Sequence, residues 1–241
     1  MRAALDYADP RPSGNATAGK GPYATRLSGA LAVLVANGLR PAFPGILPDE
    51  HGRGQESRAR TAKGFKKLDV NYSTVELGLA LGVSIKTLNF RDPSTGRYTK
   101  NYSRIDNELR AEAIDYHQRQ PYAMLAGLLF LPADACDDGA RGARGEEPGV
   151  SSFGAAIKFF RNRTPRRDVK NALDLFERFF VGIYEHQEAE RGHVVFYDVM
   201  RPRPPRNRRP YSDEVLTLKQ VLDEIRVSYD ERNNPPFEWA P

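Results

Sequence analysis

Over residues 77–87 the chain alternates with a period of two. Leu77, Leu79, Leu81, Val83 and Ile85 are large and apolar, and Gly78, Ala80, Gly82, Ser84 and Lys86 stand between them. This is the pattern of a strand with one face on a core. The preceding segment alternates too, with Leu68, Val70 and Tyr72 on one side and Asp69, Asn71 and Ser73 on the other. As neighbours, two such strands would hold their polar residues roughly 5 Å apart across the ladder. Asp69, Ser84 and Lys86 would then project from the open face of a small sheet.

Around this pair the pattern predicts a helix from about 24 to 38, with Leu27, Leu31, Leu34 and Val35 on one side. Residues 39–62, rich in Pro, Gly and charge, read as a loop. Residues 92–96 read as a turn and 97–100 as a short third strand. A strong helix is expected over 102–118, with Ser103 as its cap and Asp106 in its first turn. An apolar central strand over 122–131 is stopped by Pro132. Further helices are predicted at 151–162 and 166–186; in the second, Val169, Ala172, Leu173, Phe176, Phe179, Phe180 and Ile183 form a broad apolar face. A strand at 194–199 and a helix at 217–228 complete the series. The order implies an α/β fold, a mixed sheet with helices on both sides. Residues 1–22 are expected to be poorly ordered, 23–132 to form the core, 133–150 an exposed insertion, and 151–241 a C-terminal elaboration packed on that core.

Asp69 and Lys86 suit metal-assisted attack on phosphate. Magnesium takes one or two carboxylates together with waters and substrate oxygens. Asp69 is the natural first ligand, the backbone carbonyl of Ile85 a further one, and Lys86 can stabilise developing charge or orient the attacking water. Ser84 and Lys86 also lie about 7 Å apart at the backbone, within reach of each other as a nucleophilic dyad. That alternative leaves Asp69 without a role, and no glycine-rich oxyanion turn follows.

An Asp on one strand and a triplet ending in Lys on the next resemble the PD-(D/E)xK nuclease superfamily, best known from type II restriction endonucleases. The resemblance covers about residues 24–132 and implies a restriction-endonuclease-like core with a helical and strand C-terminal elaboration. The acid two residues before Lys86 is replaced by Ser84. Some members of the superfamily likewise carry Ser-x-Lys, with the carboxylate supplied by the following helix. Here Ile105, Leu109 and Tyr116 define a helical stripe; Glu112 falls inside it and Glu108 flanks it. Glu108 and Glu112 are therefore the two candidates for the migrated ligand. Glu76, roughly 33 Å from Lys86 along a straight strand, is a weaker one. The resemblance implies an Mg2+-dependent endonuclease, with Mn2+ as a substitute, acting on double-stranded DNA as a homodimer, with a defence-system partner as a further expectation. The alternatives are an inactive nuclease-fold protein that binds DNA or a partner, and a nuclease acting on RNA or repair intermediates.

Charge adds a second strand to this reading. The net charge of +5 is modest, from 36 Lys and Arg against 31 Asp and Glu. Its distribution is uneven, with Arg161, Arg163, Arg166 and Arg167 in one cluster and Arg203, Arg206, Arg208 and Arg209 in another. Arginine forks suit phosphate, and both clusters are candidate nucleic-acid contacts. One cysteine, Cys136, excludes an intrachain disulfide framework. No charged segment leads into an apolar run as in a signal peptide, and no run reaches the length of a membrane helix, so a cytoplasmic protein without a membrane partner is expected.

Overall fold

The computed structural model describes residues 1–13, 18–139, 149–170 and 172–233. Five strands form one mixed sheet in sequential order: β3 (Val70–Thr74), β4 (Gly78–Thr87), β5 (Met124–Pro132), β6 (Arg178–Tyr184) and β7 (Val194–Asp198). The strands β4, β5 and β6 run parallel, and the outer two are antiparallel to their neighbours. A separate two-stranded antiparallel ribbon, β1 (Ser57–Thr61) and β2 (Gly64–Leu68), precedes the sheet.

Three helices, α1 (Arg2–Ala8), α2 (Lys20–Leu39) and α5 (Leu218–Arg232), cover one face of the sheet. The other face carries α3 (Tyr102–His117) and α4 (Ser152–Phe160). Strand β5 shows why the sheet must be covered twice. Met124, Ala126, Leu128 and Phe130 enter the first core, while Leu125, Leu129 and Leu131 enter the second. A central parallel strand buried on both faces reads as a continuous apolar run. Gly127 supplies a gap in that run, since a Cβ there would lie 2.4 Å from the Phe179 ring, which stacks on Phe160 at 5.1 Å. A similar close approach joins α2 to α5, where a Cβ on Gly38 would fall 2.2 Å from a Leu222 methyl.

The predicted α/β fold, a mixed sheet between helices, is the observed one. Several local expectations are corrected. The segment 1–22 contains α1, whose Ala4, Leu5 and Ala8 are buried, together with the start of α2; residues 14–17 lie outside the described set. The loop expected at 39–62 ends in β1. The strand expected at 97–100 is a turn leading into α3, and Ser103 lies inside that helix instead of capping it. Residue 171 lies outside the described set; across the described residues, the helix expected over 166–186 is instead a loop followed by β6. Its run of Phe179, Phe180, Val181 and Ile183 fits a helix face and a doubly buried strand equally well, and aromatic and β-branched residues favour the strand. Residues 151–233 thus complete the sheet with β6 and β7 and cover both its faces. The insertion expected at 133–150 begins with buried Ala133, Ala135 and Cys136, and residues 140–148 lie outside the described set. No helix among the described residues is long and apolar enough to cross a membrane.

Candidate active site

The alternating run containing Asp69 is not one strand. Leu68 ends β2 and packs with α3, whereas Val70 begins β3 and packs beneath α2. The chain therefore changes face at Asp69. Val70 pairs with Val83, so one further step of the register sets Asp69 beside Ser84 and Ile85. The ladder stops there, and the Asp69 Oδ2 accepts the Ile85 backbone N–H at 2.6 Å.

The polar side of β4 is not the open face expected from its alternation. Helix α3 lies over it, and Ser84 is only 2% exposed. Glu112 reaches down from α3 and joins the two residues of the triplet. Ser84 Oγ donates to Glu112 Oε2 at 2.5 Å, and Lys86 Nζ donates to Glu112 Oε1 at 3.0 Å. Glu108, one turn earlier, lies 3.5 Å from Lys86 Nζ, is more exposed, and also pairs with Arg104. Of the two helix acids, Glu112 is the one brought to the Ser84 position. Glu76 is exposed in the β3–β4 turn, away from this group.

Burial pushes the Asp69 carboxyl up to about 6, against the Ile85 N–H and the Lys86 ammonium, while Glu112 and Glu56 push it the same way as burial. Burial alone would lower Lys86, but Glu112, Asp69 and Glu108 outweigh it and hold its ammonium above the usual lysine range. Lys86 is therefore firmly charged, and Ser84 donates to Glu112 instead of to an amine. A Ser/Lys dyad needs a neutral lysine as its base, so this arrangement does not serve one.

The raised Asp69 carboxyl has a thermodynamic consequence. Between about pH 4 and 6 the folded chain holds a proton that the unfolded chain has lost, so stability falls as pH rises through that window. The full deficit at neutral pH is up to about 3 kcal/mol. Asp69→Asn keeps an acceptor for Ile85 and is expected to be about 1–3 kcal/mol more stable than the parent at pH 8, with a flatter profile below pH 6. Urea unfolding between pH 4.5 and 8 measures this; identical profiles in the two proteins would refute it.

Among the described residues, no group of three or more His, Cys, Asp or Glu side chains forms a ready cation cage. The donor set is Asp69 and Glu112, close enough to repel each other, with the Ile85 backbone beside them. Two hard oxygen donors, one of them strained toward protonation by burial, fit magnesium, which completes its octahedron with waters and phosphate oxygens. Asp69 also lines a cleft of about 490 Å³ against Thr25, Ser28 and Gly29 of α2, with Gln55 and Glu56 at its side.

The arginine clusters are mostly committed to the fold. Arg161 donates to the Val199 and Arg201 carbonyls, and Arg163 bridges Asp106 and Asp174. Arg166 is 2% exposed and bound to Glu177. Arg208 forks onto Glu214, and Arg209 pairs with Glu185. Arg167, Arg203 and Arg206 are exposed. His117, in the last turn of α3, is buried, with Nδ1 at 3.0 Å from the Leu173 carbonyl. Sequence reasoning also passed over the β1–β2 ribbon, whose signal was Arg58 and Arg60 alternating with Ala59 and Thr61. No family model, curated protein or solved structure matches this chain.

Proposed function

We propose that this chain is a magnesium-dependent endonuclease of restriction-enzyme type that hydrolyses phosphodiester bonds of double-stranded DNA. The observation that supports it best is Glu112, a helix carboxylate standing at Ser84 and Lys86, where the Ser-x-Lys form of the nuclease motif needs one. Asp69 and Glu112, with the Ile85 carbonyl, would hold the metal. Bound there, magnesium supplies a Lewis acid for the phosphoryl oxygen and a more acidic water. Ser84 positions Glu112 by holding one of its oxygens. Lys86, charged and aimed into the same group, offsets the negative charge that grows on the phosphate. Arg167 and Arg203 are exposed for contacts to the DNA backbone, and cutting both strands calls for a homodimer with two such sites.

The test is cleavage of plasmid and phage DNA by purified protein with Mg2+ or Mn2+, beside EDTA and Glu112→Gln, with RNA and single-stranded DNA digested in parallel. Discrete duplex fragments, lost in EDTA and reduced at least about 100-fold by Glu112→Gln, are expected. Full activity of Glu112→Gln would sink the assignment. A second reading, a nuclease-fold protein that binds DNA or a partner without cutting, draws on the engagement of Glu112 by both Ser84 and Lys86. Calorimetry separates the two: this second reading requires no Mg2+ or Mn2+ binding alongside salt-sensitive DNA binding.

A further inference from the structure

The ribbon β1–β2 has an outward face of cations around one exposed aromatic. Arg58 pairs across the ladder with Lys67, and Arg60 pairs with Phe65. In an antiparallel pair these four share one side. The opposite side is anchored: Ala59 and Leu68 are buried in the core with α3, and Lys66 Nζ lies 2.7 Å from Asp115. The outward four are all exposed, Phe65 at 61%. Residues 57–68 contain Arg58, Arg60, Lys63, Lys66 and Lys67 and no acid. Large exposed aromatics interleaved with cations do not contribute to the core, and the Arg60 guanidinium already lies over the Phe65 ring at 5.6 Å.

This face also forms one wall of a cleft of about 580 Å³. Arg58, Arg60 and Phe65 line one side; the β3–β4 turn, with Val75 at 99% exposure, and Arg119 line the other. Among the described residues, Glu76 is the only acid on the lining. The ribbon ends at Leu68, one residue before Asp69, which itself lines a separate cleft against α2.

The geometry points to this cleft as a seat for a nucleic-acid strand with an unpaired nucleotide. The phosphates run along Arg58 and Arg60, and the base stacks on Phe65, while Lys67 is held by Glu56. The inference rests on the nuclease reading above and names its substrate contact. Arginine forks recognise phosphate oxygens two at a time, and a base presents a flat π-face to an aromatic ring whatever its sequence. The substrate favoured is therefore single-stranded or locally opened, beside the duplex.

The experiment is fluorescence anisotropy of the full chain in EDTA with a labelled 20-nucleotide thymidine strand and a duplex of equal length, at several salt concentrations. Phe65→Ala is expected to weaken single-strand binding about 10-fold and duplex binding far less, with Phe65→Tyr restoring it. Arg58→Ala with Arg60→Ala is expected to weaken both, lowering the single-strand salt slope by about 1.4. Unchanged affinity in both variants overturns the inference. So does a loss in Phe65→Ala that Phe65→Tyr does not restore, since that is a folding effect. Cleavage is not part of this readout. Ribbon-dependent binding without any metal-dependent cutting would sink the nuclease reading and leave the ribbon's role standing; cutting that ignores these substitutions would do the reverse.

Discussion

Lys86→Ala is expected to lower metal-dependent cleavage about 10²–10³-fold, the usual cost of removing one preorganised donor aimed at developing negative charge. The Lys86 side chain is 19% exposed and that of Glu112 is 18% exposed, so their ion pair is well shielded from water. Among the described residues, removing the ammonium leaves Glu112 with the Ser84 hydroxyl as its hydrogen-bond donor and Asp69 with one fewer stabilising charge. A stability loss of about 1–3 kcal/mol should accompany the kinetic one, as for a part-buried charge deprived of its partner. The two effects separate through Lys86→Arg, which keeps the charge and most of the stability but moves the donor. It should fold like the parent in urea and still cut poorly. Because the folded chain holds the Lys86 proton more firmly than the unfolded chain, the pair's contribution is complete below about pH 10 and fades as pH climbs through the folded value. Parental cleavage by Lys86→Ala would end the catalytic assignment.

The largest stability effect is expected far from that site, at Glu177. Its Oε1 takes Arg166 Nη1 at 3.1 Å and Arg232 Nη2 at 3.0 Å, and its Oε2 accepts the Leu125 N–H at 2.7 Å. The carboxylate side chain is 5% exposed, Arg166 0% and Arg232 9%. Glu177→Ala leaves two largely buried guanidinium charges facing each other and should cost about 3–5 kcal/mol. Glu177→Gln, which keeps an acceptor, should fall between. Replacing Arg166 and Glu177 together by apolar residues of similar volume should recover much of the loss, because a buried ion cluster contributes less than its disruption costs. Urea midpoints for the three proteins provide the measurement; a loss below about 1 kcal/mol for Glu177→Ala would show the cluster to be wet or slack.

The strand β5 was legible as a continuous apolar run stopped by Pro132, and the strand β4 and the helix α3 because each carries one clear period. Glu112 was legible for the same reason, since its place on the Ile105–Leu109–Tyr116 stripe aims it at the sheet. Its choice over Glu108 was not, because both sit close to that stripe and only the crossing of α3 over Ser84 separates them. The change of face at Asp69 was hidden because strict alternation runs through it unbroken. The run 176–183 satisfied two periods at once, and tertiary burial on both faces decided between them. Arg166 looked like a phosphate ligand because its partners, Glu177 in the next strand's approach and the neighbouring Arg232, are joined to it only by folding. The ribbon escaped notice in a segment dominated by proline and glycine, although its alternating arginines were visible in it.

The close crossing of α2 and α5 at Gly38 and Leu222 also bears on how the chain matures. These helices share one face of the sheet, so the stripe of Leu27, Leu31 and Val35 cannot be fully covered until α5 has been made. At ordinary rates of synthesis the intervening stretch of about 180 residues takes roughly 10–35 s to emerge from the ribosome. For that interval a nascent chain carries an uncapped apolar helix and an unfinished sheet, a state in which chaperone capture competes with self-association.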